Sequence, residues 1–248
     1  MLHLWSDGYD DVMTRVFWCG VESWEPETMM VLPALLEDAT TFMDIGASSG
    51  LYGLLAAADD PNRSVFCFEP SAVTFERLRR NSAANGLPNL TVEQVALTRN
   101  GGPITLYVTR HQLDASTLPG YRERTVATQV KSITLDDFVE AHNIKRLDLI
   151  KIDTEGTEPD VFAGGFRTIE RDHPTIICEV LKGMTERDHE RFFGPLGYSY
   201  YLLTADGPSV RNIIEGESVT NPRNYLFVHE SKADVVFDRI GQPIRWHS

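Results

Sequence analysis

The 248-residue chain predicts a Rossmann-like α/β fold, a mostly parallel sheet with helices on both faces. Three observations carry that prediction. From Thr40 onward strand-like and helix-like segments alternate. The first strand enters its helix through an acidic, glycine-bearing loop, and two later strands also end in carboxylates, the arrangement of a sheet that binds ligands at its carboxyl edge. At 42% hydrophobic residues the chain can bury a full core.

Residues 1–38 precede the alternating region, with Trp5, Phe17, Trp18 and Trp24 set among Asp7, Asp10 and Asp11. Two readings stand: a lid over the ligand, or a helix packed on the sheet by its aromatics. Residues 39–230 then form the α/β domain and 231–248 a C-terminal tail.

Thr40 to Ile45 is a β-prone run ending at Asp44, and Leu51 to Ala58 is apolar enough to pack on a sheet as a helix. Between them Gly46 and Gly50 permit backbone angles and close approaches that side chains block. The loop reads as a nucleotide-binding turn. It is Asp-x-Gly-x-x-x-Gly, not the full dinucleotide fingerprint, and it lacks a Gly-Lys-Ser for a triphosphate. A second strand, Ser64 to Phe68, ends at Glu69-Pro70, about 20 residues on, where a ribose-binding carboxylate is expected. The bland alternative is that both acids merely cap helices. Ser71 to Asn85 then reads as a helix with Phe75, Leu78 and Ala83 inward and Glu76, Arg77, Arg79 and Arg80 toward water.

Leu90 to Leu97 supplies a third strand. Ile104 to Val108 and Arg124 to Ile133 are β-prone runs around the polar loop His111 to Thr117, an insertion suited to shaping an acceptor pocket. His111 is a candidate general base, against the alternative of a solvated loop histidine. Thr134 caps a helix whose first turn holds Asp136 and Asp137. The strand starting at Leu147 leads into Asp153-Thr154-Glu155-Gly156-Thr157-Glu158. Asp148 belongs at the opposite edge from Asp153 and Glu155, and Lys151 alternates with that pair. A helix from Thr157 to Glu170 follows, with Val161, Phe162, Phe166 and Ile169 inward. Pro174 to Val180 is a buried strand carrying Glu179 to the cleft, while His173 falls at the far edge. Met184 to Phe193 reads as a helix, and Tyr198 to Leu203 and Tyr225 to Val228 as strands.

Taken together, Asp44-Ile45-Gly46-Ala47 with Gly50, Phe68-Glu69-Pro70, Asn81 with Asn85, Thr134-Leu135-Asp136-Asp137-Phe138, Lys151 to Glu158, Gly164-Gly165, Glu179-Val180 and Asn224 to Phe227 resemble the FkbM family of S-adenosylmethionine-dependent methyltransferases. The resemblance spans Thr40 to Val228. It implies a seven-stranded sheet of the class I methyltransferase type, with an antiparallel strand in its last hairpin. It also implies methyl transfer from S-adenosyl-L-methionine to a hydroxyl of a sugar, polyketide or other small metabolite. The cofactor-binding residues it implies are Asp44, Gly46, Ala47, Ser48, Ser49, Gly50, Glu69, Pro70 and Asp153, with Gln94, Val95 and Ala96 as the adenine wall. Serine stands at 48 and 49, and threonine at 154, where family members often carry Asn and Val.

Such chemistry needs an aligned acceptor and a group that takes its proton. Asp153, Glu155 and His111 are the catalytic candidates, though Asp153 could instead hold the methionine amino group. Asp153, Glu155 and Glu179 also offer oxygen ligands for Mg²⁺, a need left undecided. N-methylation, an NAD-dependent oxidoreductase and a noncatalytic cofactor-binding protein are the alternatives. The net charge of −13 argues against a nucleic-acid partner. Scattered Cys19, Cys67 and Cys178 read as reduced thiols, and the absence of an export signal or a membrane-length apolar run makes the cytoplasm the default. A homodimer is left open.

Overall fold

Period-two alternation in the central strands decides what lies on each face of the sheet. Along β1 (Thr41–Ile45), Phe42 packs into one core while Met43 and Ile45 pack into the other. Along β8 (Leu149–Ile152), Leu149 joins the first core and Ile150 and Ile152 the second. Asp44 and Lys151 are register partners on these neighbouring parallel strands, so their side chains leave the sheet on the first face together.

The computed structural model describes residues 2–109, 115–118, 125–216, 224–241 and 245–246. Before β1 come α1 (Asp11–Cys19) and α2 (Pro26–Leu36). After it follow α3 (Leu51–Asp59), β2 (Ser64–Phe68), α4 (Ala72–Asn85), β3 (Leu90–Glu93), β4 (Ala96–Leu97), β5 (Gly102–Thr109), β6 (Ala115–Ser116), β7 (Thr125–Ile133) and α5 (Leu135–Ala141). Next to β8 in sequence are α6 (Glu158–Gly164), α7 (Phe166–Asp172), β9 (Thr175–Glu179) and α8 (Glu186–Phe193). The chain closes with β10 (Tyr198–Thr204), β11 (Gly207–Arg211), β12 (Asn224–His229), α9 (Ala233–Ile240) and β13 (Arg245–Trp246).

The main sheet has nine strands among the described residues, in the order β13-β11-β10-β12-β9-β8-β1-β2-β3. This corrects the seven-stranded expectation. Strands β3, β2, β1, β8 and β9 are parallel neighbours, whereas β12 runs antiparallel to both β9 and β10, and β11 antiparallel to β10. A separate four-stranded sheet has the order β4-β7-β5-β6. Leu90 to Leu97 is therefore two strands in two sheets, because the chain leaves β2's edge after Glu93 and Ala96-Leu97 pairs with Ser132-Ile133 instead.

Helices α2, α3, α4 and α9 cover one face, and α5 to α8 the other. The helix expected over Thr157 to Glu170 breaks at Gly164-Gly165, where a Cβ on Gly164 would lie 2.2 Å from the Thr98 carbonyl oxygen. The break rotates the second half, so Phe166 is 42% exposed while Val161, Phe162 and Ile169 stay buried. On α4, Ala83 is exposed where it was expected inward, because α4 buries its opposite face through Leu78 and Asn81, whereas three other local expectations hold. Thr134 accepts from the Asp137 N–H at 3.0 Å and caps α5. Asp136 accepts from the Arg167 and Thr168 N–H groups, tying α5 to α7. At the edge away from the carboxyl ends, Asp148 accepts from Thr40 and Thr41, and His173 stacks on His229 at 3.6 Å.

In the N-terminal region the aromatics divide: Trp24 packs against the core and Trp5 lies half-buried beneath Arg80, whereas Phe17 and Trp18 do not pack. Phe17 and Trp18 are each 77% exposed, and Met13 and Val16 bury α1 against Leu51. No helix among the described residues is long and apolar enough to cross a membrane.

Arg63 holds two helix ends that the sequence pattern does not connect. It is buried, and its guanidinium donates to the carbonyls of Leu36 (2.6 Å) at the end of α2, Ala39 (2.8 Å) in the turn that follows and Ala56 (2.5 Å) in the last turn of α3. Arg63→Met removes all three donors, and urea unfolding is expected to show a loss of about 3 kcal/mol or more.

Candidate active site

The carboxyl ends of β1, β2, β8 and β9 open into a cleft of about 300 Å³. Its floor is the loop after β1, which turns tightly because Gly46 (φ +79°) and Gly50 (φ +90°) adopt left-handed angles. Gly46 and Ala47 both donate to the Phe68 carbonyl, at 3.0 and 2.9 Å, drawing the loop across the end of β2. A Cβ on Gly46 would sit 1.9 Å from the Asp153 carbonyl oxygen, so the first and third acidic motifs meet only because that residue is glycine. Gly50 is outside the lining; it begins α3 and presses on Leu78. Ser48, also left-handed at φ +48°, donates its N–H to Glu69 Oε2 at 3.0 Å, and Ser71 N–H reaches Glu69 Oε1 at 2.9 Å. Burial pushes the Glu69 carboxyl up to about 7, against the Thr74 hydroxyl and those two N–H groups.

Asp44 points under α3 and accepts from the Gly53 N–H at 3.1 Å. Burial raises it to about 7 although Lys151 and that N–H oppose the shift. Lys151, 2% exposed, lies 3.8 Å from both Asp153 Oδ2 and Glu25 Oε2 and 5.4 Å from the Tyr52 ring. Burial alone would lower its pKa; Glu25, Asp153, Glu179 and Asp44 outweigh burial and raise it, so the ammonium is held charged.

Glu25 is a site residue that the sequence pattern did not single out. It begins α2 in a left-handed conformation (φ +40°), and its Oε2 accepts from the Tyr52 hydroxyl at 2.6 Å and the Asn224 amide at 2.7 Å. The Glu-Pro dipeptide signals a helix start but not a contact nearly 200 residues away.

Asp153, Glu155 and Glu179 bring carboxylate oxygens within 4.8 Å of one another, hard donors of the kind a divalent cation takes. Glu158 is not in the cleft. Its Oε1 accepts from the Thr154 and Gly156 N–H groups and the Thr154 hydroxyl, folding the loop that presents Asp153 and Glu155. The second sheet lines the cleft with Ala96, Leu97, Leu106, Ala115 and Ser116, and Val95 and Thr117 flank its strands there. The Ser116 hydroxyl donates to the Glu155 carbonyl at 2.9 Å, joining that sheet to the acidic loop. Gln94 is exposed and outside the lining, unlike its neighbours Val95 and Ala96, because the chain turns there between sheets. Ala47, Ser48, Ser49, Pro70, Asp153 and Glu155 all line the cleft. His111 lies outside the described residues. Arg77, expected toward water, is 5% exposed and lines the cleft with its guanidinium paired to Asp7 at 2.8 Å.

A family model described as the methyltransferase FkbM domain matches residues 44–214. Among curated proteins, the chain is 25% identical over 166 residues to the hexuronic acid methyltransferase AglP of Haloferax volcanii, covering 64% of each chain. It is 26% identical over 144 residues to the 2-O-methyltransferase NoeI of Sinorhizobium fredii, covering 52% of this chain and 58% of that one. The chain thus spans less than two thirds of either relative. The crystal structure of the FkbM methyltransferase from Methylobacillus flagellatus aligns over 91% of this chain and 56% of that one, with a TM-score of 0.51 at 16% identity, a likeness of fold.

Two measurements follow from the charges. Glu69 rises from 4.5 to about 7 on folding, so its contribution to stability is fully present below about pH 4.5 and is lost as pH rises through 7. That share is on the order of 3 kcal/mol. Asp44 acts in the same direction, and Glu69→Gln should flatten the fall measured by urea unfolding between pH 5 and 7. Lys151→Met leaves four carboxylates without their cation and should lower stability at pH 7.5 by about 3–5 kcal/mol in the same assay.

Proposed function

Because the chain belongs to the FkbM methyltransferase family, we propose that its methyl donor is S-adenosylmethionine and its acceptor a hydroxyl of a small metabolite, a glycoside first and a polyketide-like product second. The residues fit the cofactor. Ser49 Oγ is a buried polar atom without a hydrogen-bond partner in the described structure, and Ser49 lines the cleft. Glu69 has its carboxylate fixed by two backbone N–H groups where a ribose diol can donate to it, Val95 and Ala96 give an apolar wall for adenine, and Gly46 leaves room for the backbone to approach. When bound, the cofactor supplies a methyl group already activated by its sulfonium.

The protein's own part is positioning and proton removal. The observation that carries the proposal is Asp153: Oδ2 faces the Lys151 ammonium while Oδ1 has no partner. Lys151 holds one oxygen in place, leaving the other to accept a proton from an acceptor hydroxyl as the new C–O bond forms. Such a base contributes roughly 10²–10⁴ in rate. Glu155, on the same loop, orients the acceptor. Asp153, Glu155 and Glu179 are also the residues that would hold Mg²⁺, which would lower the pKa of an acceptor hydroxyl. The relatives' names support an oxygen acceptor on a carbohydrate, one naming a hexuronic acid and the other a 2-O position. Family membership sets aside the oxidoreductase reading.

The test is a panel of glycosides and their amino-sugar counterparts, with S-adenosylhomocysteine release as the readout, with and without Mg²⁺. Asp153→Asn should bind S-adenosylmethionine within about threefold of the wild type and lose at least about 100-fold in turnover. Undiminished turnover removes Asp153 as the base. Methylation of amino sugars alone reassigns the acceptor atom to nitrogen.

A further inference from the structure

The N-terminal ten residues are fastened to α4 at three rungs spaced four residues apart. Asn85 pairs with the His3 backbone, accepting its N–H at 2.7 Å and donating to its carbonyl at 2.8 Å. Asn81 accepts the Trp5 N–H at 2.6 Å, and Arg77 holds the Asp7 carboxylate. The Arg80 guanidinium lies 4.4 Å above the Trp5 ring. Positions 77, 81 and 85 share one helix face, so the segment climbs α4 in an extended path toward the cleft. Asn81 also donates to the Ser49 carbonyl at 2.9 Å, binding the same ladder to the loop after β1.

At the top of this ladder stands Asp10, 2% exposed and part of the cleft wall. Its Oδ1 accepts the Met13 N–H at 3.0 Å and caps α1. Its Oδ2 and the Ser49 hydroxyl are both buried without a hydrogen-bond partner, and Ser49 lies near enough to favour the ionised carboxylate. Burial pushes the Asp10 carboxyl up, and the Met13 N–H, Ser49 and Arg77 offset only part of that. Capping α1 requires one oxygen, which asparagine or serine supplies as well as aspartate. The second oxygen is therefore surplus to the helix. An unpaired buried acceptor is destabilising, a burden that a donor arriving with the ligand removes.

We propose that Asp10 is a cofactor-binding residue whose Oδ2 accepts a hydrogen bond from the adenosyl ligand, so that the N-terminal segment is a wall of the cofactor site. The inference rests on the S-adenosylmethionine reading above. The donor is an N–H or O–H group, borne by the ribose or by the methionyl ammonium.

Calorimetric titration of the full chain with S-adenosylhomocysteine and 5′-methylthioadenosine tests this, using the wild type, Asp10→Asn and Asp10→Ser. Both variants keep the cap of α1 and guard against a folding defect in either one. The expected result is at least tenfold weaker S-adenosylhomocysteine binding in both, with melting temperatures of the ligand-free proteins not below the wild type. An equal loss for methylthioadenosine places the donor on the nucleoside; a loss confined to S-adenosylhomocysteine places it on the ammonium. Unchanged affinity in folded variants overturns the proposal while leaving the cofactor assignment intact. Failure of the wild type to bind either ligand overturns both.

Discussion

Four carboxylates, those of Glu25, Asp44, Asp153 and Glu179, converge on the single ammonium of Lys151. Desolvated acids repel one another, and without a cation among them the carboxyl edge of the sheet could not be both buried and acidic. Much of the architecture is consistent with that demand. Asp44 and Lys151 face each other across the β1–β8 register, and α2 begins with Glu25 in a left-handed conformation that costs a non-glycine residue about 1–2 kcal/mol. Tyr52 and Asn224, from α3 and β12, give Glu25 the donors that hold it there. The charge cluster thus connects the N-terminal helices, the first strand–helix unit and the far half of the sheet.

The central parallel strands were legible because each is a short apolar run with a local terminator. Asp44, Glu69 and Asp153 announced themselves for the same reason: an acid at the end of such a strand must lie at the carboxyl edge, whatever the rest of the chain does. Strand edges were harder. The sheet extends beyond the hairpin with β11 and β13, short segments whose apolar content does not set them apart from loops. Ala96-Leu97 continues the β3 run in sequence yet pairs elsewhere, a choice made by the partner strand β7 and invisible in local propensity.

The parts of the cleft that the pattern missed come from chain positions remote from the motifs. Glu25 meets Lys151 across 126 positions and Asn224 across 199. Arg77 carries the signature of a solvated helix face, yet it is buried and paired with Asp7, 70 positions away in sequence. Asp10 resembles any N-cap aspartate until its second oxygen is accounted for. Lys151 could be foreseen as alternating with the acids but not as the hub of four of them. Two aromatic residues of the N-terminus misled in the opposite sense, since size and apolarity suggested packing for Phe17 and Trp18, which stand in solvent.

Among the described residues the second sheet shares no strand pairing with the first; β4 joins it to the chain of β3, and β5 with β7 makes its longest pairing. Its cleft-facing residues, Leu106, Ala115 and Ser116, oppose the acidic loop, whereas the glycine turn and Glu69 belong to the main sheet. The two walls are thus encoded on separable stretches of polypeptide. The β5–β7 segment meets the β1–β2–β8 frame through side-chain contacts such as Ser116 to the Glu155 carbonyl, not through shared strand pairing. A change of length or polarity in that one hairpin would accordingly reshape one wall of the cleft while leaving the strand pairing beneath the other in place.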